Sequence, residues 1–388
     1  MRAVFLGAAL FAAAAAPPPP HTDFRSRALE WVGPREEAGG RTVIWFGPGR
    51  EAQGLRARFR WAADQALEEV RKRKPAAAAI RLLRGCWSEN PWGTGVAKLF
   101  RAVYAERALA VLGGVDGPSA HLAEQVVAKA RLPLVSPAGG DASITLAGVP
   151  WMFACAPSGD ATARFLIRRM QARLGVELEG LVVFAGVDHD ARAFDRELMR
   201  RLETLKAAPM FRFEVPEQGL DMGPILAALS RAPRPPAAFL LNTPPGTAAL
   251  LIPPLRKAFP HALLFGAPQL ETLPLEGEPP KQAVGLCVPA LAEAEPSPER
   301  ERLARRFRAV FRKPPDDALW LAYDAAKLLF EAIAESPPER AALRETLFRM
   351  SPWRGLAGEI RWDGLGRNTR APSRMRRLEP DMRWKLLP

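Results

Sequence analysis

Short apolar runs that alternate with amphipathic stretches, twice in succession, constrain this 388-residue chain more than any other feature. Thr42-Val43-Ile44-Trp45-Phe46 reads as a buried strand, ended by Gly47-Pro48-Gly49. Residues 55–73 follow with Leu55, Phe59, Ala62, Ala63, Ala66 and Val70 on one helical face. Further strands are expected at 77–83, 108–112 and 132–135, and helices at about 91–105 and 118–130. The pattern then restarts. Strands are expected at 151–154, 181–184, 211–215, 237–241 and 262–265. Helices fall at 159–174, 191–205, 222–229 and 248–259, the last despite Pro253 and Pro254. From Pro298 the chain is mainly helical (299–311, 317–334 and 339–350) before a strand-like 359–362 and a hairpin-like end. Strands that alternate with helices build parallel sheets through right-handed crossovers. Two consecutive halves of similar size therefore predict an α/β protein with two sheets.

The N-terminus has a different character. Arg2 precedes an apolar stretch from Ala3 to Ala16, and four prolines, Pro17 to Pro20, follow. This is the pattern of a secretory signal peptide over residues 1–16. The run is shorter than the ~20 residues a bilayer-spanning helix needs; a buried N-terminal helix is the alternative. No cysteine follows it, so no lipid attachment is expected, and residues 17–40 read as a flexible segment. Export to the periplasm or the exterior follows as an expectation.

Charge raises another possibility. The formal net charge is +13, but of the basic residues 10 are Lys and 45 are Arg, a bias that codon usage in a GC-rich genome produces. Pairs such as Arg168-Arg169, Arg200-Arg201 and Arg305-Arg306 are spread along helix faces, so no nucleic-acid partner is expected. Three cysteines, Cys86, Cys155 and Cys287, allow at most one disulfide. The histidines His21, His121, His189 and His261 lack metal-ligand spacing, so neither a metal nor a cofactor is expected. No G-x-S-x-G elbow, P-loop or convincing glycine fingerprint points to catalysis.

One stretch is more specific. Ala110-Val-Leu-Gly-Gly-Val-Asp-Gly-Pro-Ser-Ala, followed after eleven residues by Leu132-Pro-Leu-Val-Ser-Pro-Ala-Gly-Gly, resembles the leucine/isoleucine/valine-type periplasmic solute-binding proteins. Ile144-Thr145, the segment 152–160, Ala322-Tyr323-Asp324-Ala325-Ala326-Lys327-Leu328-Leu329 and the Gly358–Gly366 segment, with its Trp362-Asp363 pair, are similar to that family's later motifs, in the same order. The resemblance implies a type I periplasmic binding fold: two doubly wound parallel-sheet lobes joined by a three-strand hinge. It places lobe one at 41–157 plus 290–371 and lobe two at 158–289 plus 372–388. It further implies a monomer that performs no chemistry, closes on a small-molecule ligand and delivers it to an ABC permease or a sensor membrane protein. A relative that has lost its ligand and serves as an interaction scaffold is the competing implication.

The same mapping names the candidate site. Asp116, Gly117 and Ser119 open a helix whose free N–H groups suit a ligand carboxylate. Ser136, Gly139 and Gly140 form the neighbouring loop, and Asp190, Asn242 and Gln269 face them from lobe two. Amino-acid binders of the family place hydroxyls at Gly117 and Gly140, a Tyr-Gly pair at Asp190-Ala191, aromatic residues at Asn242-Thr243-Pro244 and an acid at Gln269. The scaffold matches and the amino-acid pocket does not, which implies an uncharged or cationic polar ligand. Asp116 as a helix cap, Ser119 and Ser136 as capping or turn serines, and Gly139 and Gly140 as turn residues are the plainer alternatives. Trp45 reads as core, while Trp87 and Trp92 are candidate pocket walls beside Trp31. Cys155 and Cys287 fall near two mapped hinge strands, either as a disulfide or as two small buried hydrophobes.

Overall fold

The computed structural model describes residues 40–48, 53–87, 94–138, 141, 143–146, 148–275 and 279–387. The expected signal peptide, nearly all of the segment 17–40, and Trp31, Trp92, Gly139 and Gly140 lie outside them. Among the described residues no helix is long and apolar enough to cross a membrane.

The first lobe runs β1 (Thr42–Gly47), α1 (Gln53–Arg73), β2 (Arg81–Trp87), α2 (Thr94–Ala105), β3 (Ala110–Gly113), α3 (Gly117–Ala130), β4 (Leu134–Ser136), the short α4 (Ser143–Leu146) and β5 (Met152–Ala154). Its strands pair in parallel in the order β2-β1-β3-β4-β5. Strand side chains point alternately to opposite faces. Val43 and Trp45 therefore enter one core with Phe59, Ala62 and Ala66 of α1, and Ile44 and Phe46 enter another with Leu99, Val103, Leu122 and Val126. Helices cover both faces, as an all-parallel sheet requires. β2 begins at Arg81 rather than Ala77, because Pro75 opens a 3₁₀ turn over Pro75–Ala79.

The second lobe repeats the winding: α5 (Gly159–Leu174), β6 (Leu181–Gly186), α6 (His189–Thr204), β7 (Phe211–Val215), α7 (Met222–Ser230), β8 (Ala238–Asn242), α8 (Pro245–Ala258), β9 (Leu263–Gly266) and β10 (Cys287–Pro289). Val182, Phe184, Phe239 and Leu241 fill one face of its sheet; Leu181, Val183, Ala238 and Leu240 fill the other. α8 keeps Pro253 and Pro254 inside it. An interior proline costs a helix ~3 kcal/mol. Burial of Ala248, Leu251, Ile252 and Leu255 offsets that, at ~1.5–3 kcal/mol per large side chain.

The chain then returns to the first lobe through α9 (Pro298–Phe311), α10 (Asp317–Glu335) and α11 (Arg340–Met350), followed by the antiparallel pair β11 (Trp353–Arg354) and β12 (Glu359–Ile360). It ends as a hairpin, β13 (Met375–Leu378) and β14 (Trp384–Leu387). β13 adds antiparallel to β10, giving the order β14-β13-β10-β9-β8-β6-β7. Two doubly wound, mainly parallel sheets are thus present, as the alternation predicts.

The two C-terminal motifs turn out to be one device. Asp324, fully buried in α10, accepts hydrogen bonds from Leu356 N–H at 2.8 Å and Ala357 N–H at 2.6 Å. Gly355 passes so close to that carboxylate that a Cβ would strike it. Gly366, at φ +77, lies against the Met152 carbonyl, and its own carbonyl accepts from Ala154 N–H at 2.9 Å. Glycine is required there by both conformation and space.

The three crossings between the lobes are densely bonded. Asn368 Nδ2 donates to the Cys155 carbonyl at 2.6 Å, and Trp362 Nε1 to the Ala154 carbonyl at 2.7 Å. The buried Glu293 accepts from Arg370 Nη2, Ser373 N–H and Oγ, and Arg374 N–H, all at 2.6–2.7 Å. Arg376 pairs with Glu271 of the second lobe and with Asp317 of α10. All three cysteines are free thiols, with Cys155 and Cys287 buried in separate cores. They are the two small hydrophobes of the alternatives above, and no disulfide joins them.

Candidate functional site

In a doubly wound sheet the chain leaves its first strand in one direction and later returns on the other side, which opens a crevice at the C-terminal strand ends. The first lobe has this switch between β1 and β3, and the second between β6 and β8. α3 starts just after β3, and α6 just after β6. The starts of these two helices meet.

Asp116 caps α3: its Oδ1 accepts from Ser119 N–H at 2.7 Å, and Ser119 Oγ receives the Asp116 N–H at 3.3 Å. Ser119 is fully buried in that capping box. The cap reading therefore describes both side chains, and it leaves Gly117 N–H pointing outward. Asp190 takes it: Gly117 N–H donates to Asp190 Oδ1 at 3.0 Å, across the lobes. A Cβ on Gly117 would collide with Asp190 and His189, so the missing family hydroxyl is space filled from the other lobe. Loss of surrounding water and the nearby Asp116 carboxylate push the Asp190 carboxyl up to about 6, although one edge of the side chain stays exposed; His189 and the Gly117 N–H oppose the shift.

Ser136 serves the loop after β4. Its hydroxyl donates to the Gly114 carbonyl at 2.6 Å and accepts from Ala138 N–H at 3.1 Å. In the second lobe Asp188 caps α6 by accepting from Ala191 N–H at 2.9 Å, which starts that helix at His189, two residues before the periodicity places it. Asn242, wholly buried at the end of β8, donates to the Ala191 carbonyl at 2.7 Å and accepts from Gln269 Nε2 at 3.2 Å. Beside it, Asp188 Oδ2 and the hydroxyl of the buried Thr243 have no hydrogen-bond partner in the structure. Such groups cost free energy unless something satisfies them. Trp45 is in the core, as expected, and Trp87 ends β2.

Sequence spacing missed one constellation. His121 and His189 are not scattered: both imidazoles hydrogen-bond to Asp141, His121 Nε2 at 3.0 Å and His189 Nε2 at 2.7 Å from Oδ2. His121 Nδ1 sits 3.2 Å from Glu124 Oε2. The hydrogen bonds to Asp141 and Glu124 push the His121 imidazole up to about 9, against burial. Residues 20 and 48 apart in the chain carry no periodic signal; the folding of two lobes brings them together. Asp116, Glu124, Asp141, Asp188 and Asp190 make this face acidic in a chain whose net charge is +13. A groove of about 470 Å³ lined by Arg300, Trp320, Arg376 and Trp384 lies at the crossings instead.

Comparison with known proteins agrees with this architecture. A family model described as periplasmic binding protein matches residues 56–381. No curated protein matches the sequence. Among solved structures, an ABC transporter substrate-binding protein from Desulfitobacterium hafniense in complex with Leu superposes with a TM-score of 0.72 at 17% identity, over 89% of this chain and 100% of that one. The branched-chain amino acid transporter substrate-binding protein LivJ of Streptococcus pneumoniae, in complex with isoleucine, gives 0.72 at 15% identity, over 89% of this chain and 99% of that one. A solute-binding protein of an ABC transporter from R. palustris, in complex with benzoate, gives 0.70 at 16% identity, over 90% and 96%.

Proposed function

Because the chain belongs to the periplasmic binding protein family, we propose that it is an exported receptor that captures a small polar solute between its lobes and delivers it to an ABC importer. It acts as a monomer and performs no chemistry on the solute. The lobes comprise residues 41–157 with 290–371, and 158–289 with 372–388, and they move as bodies about the three crossings, as hinge closure requires. The solute enters at the facing starts of α3 and α6, where Asp190, Gln269, Thr243 and Asp188 are the groups that meet it. Asn242, Ser119, Ser136 and the Asp116 side chain hold the walls. Gly139 and Gly140 are assigned to the site by the family resemblance alone.

The observation that carries the solute class is Asp190 Oδ1 on Gly117 N–H, at 3.0 Å. A ligand carboxylate would have to compete with a resident carboxylate for that helix N-terminus, amid Asp116, Asp141 and Asp188. An uncharged or cationic solute, such as an amide or an amino-acid relative without a free acid, avoids this repulsion. The proteins that hold leucine, isoleucine and benzoate share this fold, so the scaffold accommodates solutes of several chemistries.

The same contact favours a second reading, a scaffold that has replaced its solute with its own side chains. A thermal-shift screen of amides, amino acids, polyamines and aromatic acids separates the two. A solute at 100 times its dissociation constant stabilises by ~2.7 kcal/mol. A raised transition with an amide or amine supports the receptor. A screen that moves nothing supports the scaffold, and a shift confined to carboxylates contradicts the assignment of Asp190.

A further inference from the structure

We infer that His121, Asp141 and His189 form a binding site for a divalent transition-metal ion, Zn²⁺ being the best fit, which bridges the two lobes. The ligand atoms of these three residues all lie within 4.8 Å of one another. His121 on α3 and Asp141 come from the first lobe, and His189 at the start of α6 comes from the second. Each Nε2 already approaches Asp141 Oδ2, at 3.0 and 2.7 Å. Ligands ~2.0–2.1 Å from a tetrahedral zinc stand roughly 3.3 Å from each other, so a few tenths of an ångström of spreading admits the ion.

The donor set chooses the metal. Two imidazoles and one carboxylate suit zinc and its neighbours rather than calcium or magnesium, which take oxygen ligands. Three protein ligands leave a fourth position for water or for a donor atom on a solute. The surroundings fit as well. Glu124 Oε2, 3.2 Å from His121 Nδ1, fixes the tautomer that turns Nε2 toward the site, the usual role of a carboxylate behind a metal-bound histidine. The rings of His121 and His189 meet edge to face at 5.4 Å rather than stacking, which lets both nitrogens converge. The Asp141 side chain is 2% exposed, while those of His121 and His189 are 30% and 41% exposed, so the anchor is buried and an entry path stays open. Nearby Asp116 and Asp190 add negative charge that a dication offsets.

The proposal goes beyond solute capture and does not depend on it, since an ion can bind whether or not an organic solute does. Isothermal titration of chelator-treated protein with ZnCl₂ tests it, with visible absorption of the Co²⁺ form reporting coordination. One ion per chain is expected, with a four-coordinate Co²⁺ spectrum containing nitrogen ligands. His189→Ala, at an exposed position, and Asp141→Asn should each weaken Zn²⁺ by on the order of 100-fold or more, and Glu124→Gln by on the order of 10-fold. His261→Ala, an exposed histidine elsewhere, should leave affinity unchanged. Circular dichroism melts show whether each variant is folded. Absence of binding to wild type, or binding equally strong in His189→Ala and His261→Ala, overturns the site. A metal result of either sign leaves the solute screen free to succeed or fail alone.

Discussion

Among the described residues, the lobes touch at two zones built on opposite physical terms. At the crossings the contacts are buried and saturated: Glu293 alone accepts from a guanidinium, a hydroxyl and two backbone N–H groups, and its side chain is 1% exposed. At the facing helix starts, a half-open Asp190 meets one backbone N–H, and an exposed His189 meets one buried carboxylate. Buried charge networks are costly to break, because removing one partner strands the others without water. Partly solvated contacts exchange readily with water and contribute little. In the proposed closure, one contact zone serves as a fixed axis and the other as a latch.

Substitutions in the two zones test that contrast. The largest effect belongs to Glu293→Ala, which strands Arg370 and the N–H groups of Ser373 and Arg374. A loss on the order of 3–5 kcal/mol is expected in chemical denaturation, and Glu293→Gln should retain part of it. Asn368→Ala comes next. It removes the donor to the Cys155 carbonyl and the acceptor for Arg361 and Arg370 N–H, at a cost of roughly 1–3 kcal/mol. Asp190→Ala should cost about 1 kcal/mol or less, and its radius of gyration with solute bound should exceed that of the liganded wild type, because the latch is missing from the closed form. Gly117→Ser restores the family's usual hydroxyl. It should change stability least and still hold the lobes apart, because its side chain meets Asp190 and His189. Equal stability losses at Glu293 and Asp190 would remove the distinction between axis and latch.

How much of this was legible in the sequence differs between the same two zones. The sheets were, because buried strands such as Val43 to Phe46 and Leu181 to Phe184 carry their pattern in consecutive residues. So was α8, in spite of Pro253 and Pro254, since its apolar face outlasts them. The motif at 110–120 marks the first lobe's switch point, whereas at Asp190-Ala191 the sequence departs from the family pattern and marks nothing. The chemistry at the latch was hidden for a physical reason. His121, Asp141 and His189 lie on three different elements, and nothing local links an imidazole in α3 to a carboxylate 20 residues on. The capping roles of Asp116 and Ser119 were among the readings their positions allowed. The partner of Gly117 N–H was not, since it comes from the other lobe.

Closure around a solute is the motion that the proposed receptor requires. Small-angle X-ray scattering of the wild-type chain, titrated with whichever solute most raises its transition temperature, measures this directly. The radius of gyration should fall and level off at the concentration where the thermal shift saturates. A scattering curve that stays the same while the solute demonstrably binds would contradict capture between moving lobes.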